Sequence, residues 1–197
     1  MTNSVFIDYL QQFNSLNQQQ IELINSHLIC NQYKEGEYFL EAGKISDQVG
    51  FIVDGVFRVC YYSNKGNEIT RYFLHEINFI VDLNSYNKGI PSSEYIQSVT
   101  DSSVVILRKK SMEELSKTII GWDALLSKIT AISLSEKVAR VSLMIPQDAA
   151  ERYDFFLESF PKIANRVPLQ YIASYIGVTK SSLSRLRRVN VKKRASK

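Results

Sequence analysis

The spacing of hydrophobic residues changes along the chain and divides it into three parts. In the first part these residues recur every three or four positions, which predicts two short amphipathic helices, Val5–Phe13 and Gln18–Leu28. In the second part, which begins at Tyr33, short runs of β-branched and aromatic residues predict strands. The predicted strands are Tyr38–Leu40, Val49–Val53, Val56–Tyr62, Glu68–Leu74, Tyr95–Thr100 and Ser103–Leu107.

Closely spaced glycines separate these strands. Six of the eight glycines lie between residues 36 and 89, and glycine favours tight turns because it tolerates positive φ. The segment Val53–Val56, with Asp54-Gly55 at its centre, predicts a tight hairpin, and Asn64–Asn67 predicts a second turn. At least six short strands joined in this way predict an antiparallel sandwich or barrel.

The third part, from about residue 110, has helical periodicity. Ser111 and Glu114 have the spacing of a capping box, which predicts a short helix that begins after Ser111. A longer helix is predicted from Trp122 to about Ile145, and Pro146 ends it. This helix carries two apolar stripes, Leu125, Ile129, Ile132, Ala139 and Leu143 on one face and Leu134, Val138, Val141 and Ile145 on another.

One of these stripes can cover the predicted sheets, whereas the other has no evident partner within the chain. We therefore expect the long helix to pair with its copy in a homodimer. The alternative is a single helix buried in the core of one chain.

The segment that follows Pro168 predicts two helices joined by a tight turn. Gly177 supplies a left-handed residue that ends the first helix, and Thr179 is a good N-cap for the second. Small and apolar positions predict the packed side of the pair: Ile172, Ala173, Ile176, Val178, Leu183 and Leu186. The other side of the second helix carries hydroxyls and long cations: Lys180, Ser181, Ser184, Arg185 and Arg188.

The distribution of charge strengthens this interpretation. The formal net charge of the 197 residues is only +4, but residues 161–197 contain ten Lys/Arg and no Asp or Glu, and residues 1–160 carry −6. A basic block of this kind is typical of a surface that binds nucleic acid. An ordinary helical hairpin with a solvated cationic face is the alternative.

The chain resembles the Crp/Fnr-type transcription regulators over nearly its whole length. The resemblance rests on Tyr33–Tyr38, Glu41–Gly43, Phe51–Arg58, Glu151–Tyr153, Arg166–Pro168, Ile172–Thr179 and Ser182–Arg187. The C-terminal motifs are similar to those of a branch common in Bacteroidetes-type bacteria.

The resemblance implies an α+β fold with three parts. They are an antiparallel, jelly-roll-like β-roll effector domain with N-terminal helices (1–120), a long dimerisation helix (121–146) and an α-helical helix-turn-helix domain (147–197). Residues 189–197 leave little room for the β-wing of the family.

The family pattern also implies a sequence-specific DNA-binding regulator. Its partners would be double-stranded DNA, a second copy of the chain and RNA polymerase. The residues expected to contact DNA are Thr179, Lys180, Ser181, Ser182, Ser184, Arg185, Arg188 and Lys192. Arg185 is the best candidate for a bidentate contact with guanine.

The expected effector pocket departs from the family pattern. Members that bind cyclic AMP use a Gly-Glu pair for the ribose and an arginine for the cyclic phosphate, but Asp82 and Ser92 stand at the matching positions. Glu94 adds a negative charge, and an anion without its cation is disfavoured in such a site. The sequence thus predicts a degenerate pocket (Asp82, Leu83, Ser92, Ser93) that does not bind cyclic AMP or cyclic GMP by the usual contacts.

The sequence lacks the residues that a metal centre, an enzyme active site or a membrane span would need. Two cysteines cannot hold an iron–sulfur cluster, and His27 with Cys30 makes a poor metal site, so we expect no metal or cofactor. No phosphate loop, metal signature or nucleophile elbow indicates an enzyme. No apolar run is long enough to span a membrane, and no secretion signal is evident, so a cytoplasmic protein is expected. The alternative function is a ligand- or protein-binding β-roll whose basic tail binds another polyanion.

Overall fold

The computed structural model describes residues 2–195, with the side chains of residues 3–139 and 141–188. The helices are α1 (Thr2–Gln11), α2 (Gln18–His27), α3 (Leu83–Lys88), α4 (Lys109–Thr118), α5 (Trp122–Met144), α6 (Ala149–Ser159), α7 (Leu169–Tyr175) and α8 (Lys180–Ala195). The strands are β1 (Ile29–Tyr33), β2 (Tyr38–Leu40), β3 (Gln48–Asp54), β4 (Phe57–Tyr62), β5 (Glu68–Leu74), β6 (Phe79–Ile80), β7 (Tyr95–Ser98) and β8 (Ser102–Arg108).

The eight strands form two antiparallel four-stranded sheets, which together we call the β-roll. The strand orders are β1-β8-β3-β6 and β2-β7-β4-β5, so β5 lies at an edge of its sheet. Apolar side chains from both sheets fill the space between them: Tyr33, Phe39, Leu40, Ile52, Phe57, Val59, Leu74, Ile80, Ile96, Val104 and Ile106. The antiparallel sheets predicted from the strand pattern, and the β-roll that the resemblance implies, are confirmed.

The predicted hairpin at Val53–Val56 is wrong, because β3 and β4 belong to different sheets. The chain crosses from one sheet to the other at Gly55, which has a φ of +115°. A Cβ atom at this glycine would lie 2.0 Å from Oγ of Ser102, so the crossing passes directly against β8. The second predicted turn is confirmed, since Asn64–Asn67 joins β4 to its neighbour β5 with Gly66 at positive φ.

The sequence pattern missed β1 and β6 and placed one helix start wrongly. Four of the five β1 residues are exposed, so β1 has no alternation of polar and apolar side chains and is held by backbone pairing with β8. Strand β6 has only two residues. The chain passes straight from β8 into α4 at Lys109, so Ser111 lies inside the helix and is not its N-cap.

Helix α5 confirms the predicted long helix, but only its first half is covered. Leu125 and Ile129 pack into a core formed by α1, α2, α4 and the outer face of the β1-β8-β3-β6 sheet. Beyond Ile129 both predicted stripes are exposed to solvent in the single chain, so the first stripe covers the β-roll only at its N-terminal end. The exposed residues are Ile132, Leu134, Val138, Ala139, Val141, Leu143 and, just after the helix, Ile145.

A further core joins the β-roll to the C-terminal helices. It combines Val56, Phe73 and Val99 of the β-roll region with buried side chains of α6, α7, α8 and the segment between α6 and α7. Helix α6 begins at a capping box in which Asp148 accepts from the Glu151 amide at 2.9 Å. The C-terminal helices are therefore packed directly on the β-roll.

Candidate nucleic-acid interface

Helices α7 and α8 are joined by a short turn that the sequence specifies locally. Pro168 occupies the N-cap position of α7, and Ile172 and Ala173 are buried on the side that faces α8. Gly177 has a φ of +74°, which reverses the chain after α7 at little steric cost. The Val178 amide then donates to the Ala173 carbonyl at 2.9 Å and closes the turn.

Thr179 caps the N-terminus of helix α8, as predicted. The Thr179 Oγ1 accepts from the backbone amide of Ser182 at 3.2 Å, and it also lies within hydrogen-bond distance of the Ser181 and Ser182 hydroxyls. Leu183 is fully buried against α7, whereas Leu186 is only half-buried. The packed side of the pair is therefore close to the prediction, although weaker at Leu186.

The outward side of α8 presents the predicted cations and hydroxyls to solvent. Thr179, Lys180, Ser181, Arg185 and Arg188 are exposed, and Ser182 and Ser184 are half-buried. At 3.6 residues per turn, Ser181, Ser184, Arg185 and Arg188 fall within an arc of about 100° around the helix axis. The side chain of Lys192 lies outside the described residues.

The side of α7 that faces away from α8 rests on β5, a contact that sequence reasoning missed. The hydroxyl of Ser174 accepts from the Thr70 amide at 2.8 Å and donates to the Glu68 carbonyl at 3.1 Å. The ring of Tyr171 lies over the guanidinium of Arg58, with 3.6 Å from Cζ to the ring centroid. No local sequence pattern could predict these contacts, because they join residues about 100 positions apart.

Arg58 is a buried cation in β4. Its guanidinium donates to Oε1 of Gln97 through Nε at 2.9 Å and Nη2 at 2.6 Å, and it forms an ion pair with Glu68 through Nη1. Burial disfavours the charged form, but the bond to Glu68 and the favourable electrostatics of neighbouring groups together outweigh burial, so the pKa of Arg58 is raised. The same bond lowers the pKa of the Glu68 carboxyl.

A second ionic contact links the C-terminal region to the β-roll at Arg166. Its Nη1 lies 2.7 Å from Oε1 of Glu76, and its Nη2 lies 3.8 Å from Asp54. The same oxygen of Glu76 accepts from the Gly55 amide at 3.0 Å. Burial favours the neutral acid, but the bonds from Arg166 and Gly55 outweigh it, and the pKa of Glu76 is lowered.

Aromatic side chains fill the remaining space between β5 and the C-terminal helices. Phe73 of β5 lies 5.4 Å from Tyr175, 5.9 Å from Phe156 and 6.4 Å from Phe160, measured between ring centroids. These tilted and edge-on geometries are the favoured ones for aromatic pairs. The contact thus has an aromatic centre with charged and polar groups around it.

The residues of the predicted effector pocket are engaged in local structure. The Asp82 carboxylate caps α3 by accepting from the Asn84 and Ser85 amides. The Ser92 side chain is buried, and its hydroxyl bonds to the backbone of Glu94. Leu83 is half-buried and Ser93 is exposed.

One cavity beside the β-roll is lined by only one residue of this set. It has a volume of about 670 Å³ and lies between α5, α3, β5 and the aromatic side chains of the C-terminal region. Leu83 lines it, but Asp82, Ser92 and Ser93 do not. Glu94 forms an ion pair with Arg71, one of the lining residues.

Among the described residues, no group of three or more His, Cys, Asp or Glu side chains is arranged to hold a metal ion. His27 lies 3.7 Å from Glu114, and the Cys30 thiol donates to Asn3. Cys60 is buried in β4, and burial raises the pKa of its thiol to about 11. Within the described part of the chain, no helix has the length and apolar character needed to cross a membrane.

Comparison with known proteins agrees with this architecture. Residues 30–118 match the cyclic nucleotide-binding domain family. Among solved structures, the chain is similar to FixK2 from Bradyrhizobium japonicum, with 18% identity, 84% of this chain and 85% of that chain covered, and a TM-score of 0.70. It is also similar to a Crp/Fnr-family regulator from Eubacterium rectale, with 20% identity, 94% and 88% covered, and a TM-score of 0.71.

A third similar structure is CLP from Xanthomonas campestris, described as a c-di-GMP responsive global regulator. It shares 13% identity, with 90% of this chain and 93% of that chain covered and a TM-score of 0.71. No curated protein sequence matches the chain.

Proposed function

We propose that this protein is a homodimeric regulator that binds a specific, near-palindromic DNA operator. Residues 30–118 match the cyclic nucleotide-binding domain family, and the chain has the fold of the Crp/Fnr transcription regulators. One observation carries the proposal. Helix α8 is packed on α7 by one side and presents Lys180, Ser181, Arg185 and Arg188 to solvent on the other. A helix-turn-helix motif places its second helix in the major groove in this manner.

The roles of the α8 side chains follow from their chemistry. Arg185, at one edge of the outward arc, makes a bidentate contact with guanine, which contributes about 1–3 kcal/mol of discrimination. Ser181 and Ser184 are short hydroxyls that approach base edges or phosphates. Lys180 reaches base edges in the groove, and Lys192 binds phosphates, so the affinity for DNA falls steeply with salt.

The dimer forms through α5. Large apolar side chains at Val138, Val141 and Ile145 are 57–77% exposed in the single chain, at the three- and four-residue spacing of a helix–helix seam. Pairing of two α5 helices removes this surface from water. It also sets two α8 helices one turn of DNA apart, roughly 34 Å, on an operator with matching symmetry.

The effector is not cyclic AMP or cyclic GMP bound by the usual contacts. The Asp82 carboxylate already accepts two backbone amides, and the buried Ser92 has no charge to neutralise a phosphate. Isothermal titration of the purified protein is expected to show no binding of either nucleotide at micromolar concentration. Micromolar binding would refute this part of the proposal.

The test of DNA binding is a genomic selection for fragments that the purified full-length protein retains. We expect enrichment of a symmetric motif with half-sites one helical turn apart. The matched variants are Arg185→Ala and Arg187→Ala. Both remove one cation from α8, but residue 187 lies about 160° around the axis from residue 185, outside the outward arc.

The two variants separate base recognition from general charge. Arg185→Ala should relax the preference at one base pair of each half-site, whereas Arg187→Ala should weaken binding to all sequences equally. Salt-sensitive binding without sequence preference, unchanged in character by Arg185→Ala, would contradict the proposal. That result would favour a β-roll whose basic C-terminal region binds another polyanion.

A further inference from the structure

Strand β5 is an edge strand whose free side is closed by α7. Edge strands present unpaired N–H and C=O groups that proteins usually shield. Here the single hydroxyl of Ser174 serves both kinds of group, since it accepts from the Thr70 amide and donates to the Glu68 carbonyl. These two bonds join α7 to β5 at Glu68 and Thr70.

A buried charge lies in the same contact. The Arg58 side chain is only 2% exposed, and the Tyr171 ring covers the guanidinium. A buried cation tolerates few arrangements of its neighbours, because each of its bonds must be kept. The position of Tyr171 over Arg58 is therefore narrowly defined.

Arg166 supplies an anchor at another point. It binds Glu76 and approaches Asp54, both of which belong to the β-roll. Contacts at Ser174, Tyr171 and Arg166 together restrict both the translation and the rotation of the α7–α8 pair. The aromatic contacts of Phe73 fill the space among them.

We propose that these contacts form a conformational latch, which holds the α7–α8 pair on the β-roll in the orientation that binds DNA. The proposal rests on the proposed function. The latch leaves the outward side of α8 open, since Lys180, Arg185 and Arg188 remain exposed while α7 is docked. A docked pair loses less conformational freedom on binding than a loosely tethered one.

The test uses the full-length protein with Ser174→Ala and Arg166→Gln. Ser15→Ala and Lys162→Gln are the matched controls, because both control residues are exposed and lie outside the latch. Hydrogen exchange followed by mass spectrometry should show at least tenfold faster exchange in the β5 peptide for the two latch variants only.

The second readout is the affinity for the selected operator. If the docked fraction falls from nearly one to about a tenth, the apparent affinity falls about tenfold, because only the competent fraction binds. Both latch variants should show this loss relative to their controls. Ser174 and Arg166 do not belong to the proposed DNA-contacting set, and the control Lys162→Gln removes a cation just as Arg166→Gln does. A loss relative to the controls therefore reports on orientation.

Three results would overturn the latch: unchanged exchange in both variants, faster exchange with unchanged affinity, or a gain in affinity, which would make the contact inhibitory. The exchange measurement needs no DNA. A wild-type protein that selects no DNA motif would therefore refute the proposed function, whereas unchanged protection of β5 would refute the latch itself.

Discussion

The contact between Arg58 and Tyr171 should couple the β-roll energetically to the C-terminal helices. A double-mutant cycle of Arg58→Met and Tyr171→Leu measures this coupling, because the separate effects of each change cancel. A cation over an aromatic ring contributes about 0.5–2 kcal/mol, with the upper part of the range for desolvated cations. The guanidinium is 3.6 Å from the ring centroid and almost fully buried, so we expect about 1–2 kcal/mol.

The single changes should differ from one another in size. Arg58→Met removes the charge-assisted bonds to Glu68 and Gln97, but it also removes the cost of burying the cation, so a net loss of about 2 kcal/mol is expected. Tyr171→Phe keeps the ring over the guanidinium and should retain most of the coupling. This variant separates the ring contact from any effect of the hydroxyl.

The assay is urea unfolding at one fixed protein concentration, since self-association would otherwise shift the apparent stability. Fluorescence of Trp122, which is buried in the core beside α1 and α4, reports on the β-roll side, and circular dichroism reports on the whole chain. A coupling energy within about 0.3 kcal/mol of zero would refute the argument, because it is the value expected for independent sites.

Other predictions concern the β-roll. Gly55→Ala should lower the free energy of unfolding, measured in urea, by about 3–5 kcal/mol, because residue 55 has a positive φ and its new Cβ would lie 2.7 Å from the Cα of Ser102 in β8. Gly66→Ala, whose new Cβ meets no atom within 4 Å, should lower it by only about 1 kcal/mol. With a thiol reagent at pH 8, exposed Cys30 should react quickly and Cys60, whose pKa is raised to about 11, only on unfolding. Because the pKa of Glu68 is lowered in the folded protein, its ionised carboxylate stabilises the fold above about pH 4.5, and this stabilisation is lost as the pH falls through the lowered pKa. Between pH 3 and 6, the free energy of unfolding of Glu68→Gln should therefore fall less steeply with decreasing pH than that of the unmodified protein.

The sequence predicted the features that depend on local chemistry. The turn at Gly66 and the reversal at Gly177 each require a residue with positive φ, and a glycine in the sequence indicates such a position. The cap at Thr179 likewise depends on its own first helical turn. The period of apolar residues located α5 for the same reason, since a helix of 23 residues repeats its pattern several times.

Features that depend on which strands are neighbours could not be predicted in this way. The segment around Gly55 has the composition of a hairpin turn, but the chain crosses between two sheets there, and only the pairing of β3 with β8 decides it. Ser174 has the size and polarity of an ordinary helix-surface residue. Its role depends on its contact with the free edge of β5, which lies about 100 positions earlier in the sequence.

The uneven distribution of charge has a second consequence, because opposite charges on the two parts of the chain also bind each other. A basic C-terminal region on an acidic body suggests at first that one part binds DNA and the other repels it. Yet Arg166, one of the ten cations of residues 161–197, is directed to Glu76 of the body. The acidic groups beside α7 therefore hold the basic region in place, and the number of cations overstates the number of phosphate contacts. The slope of operator affinity against salt should accordingly be smaller than ten cations per chain would give.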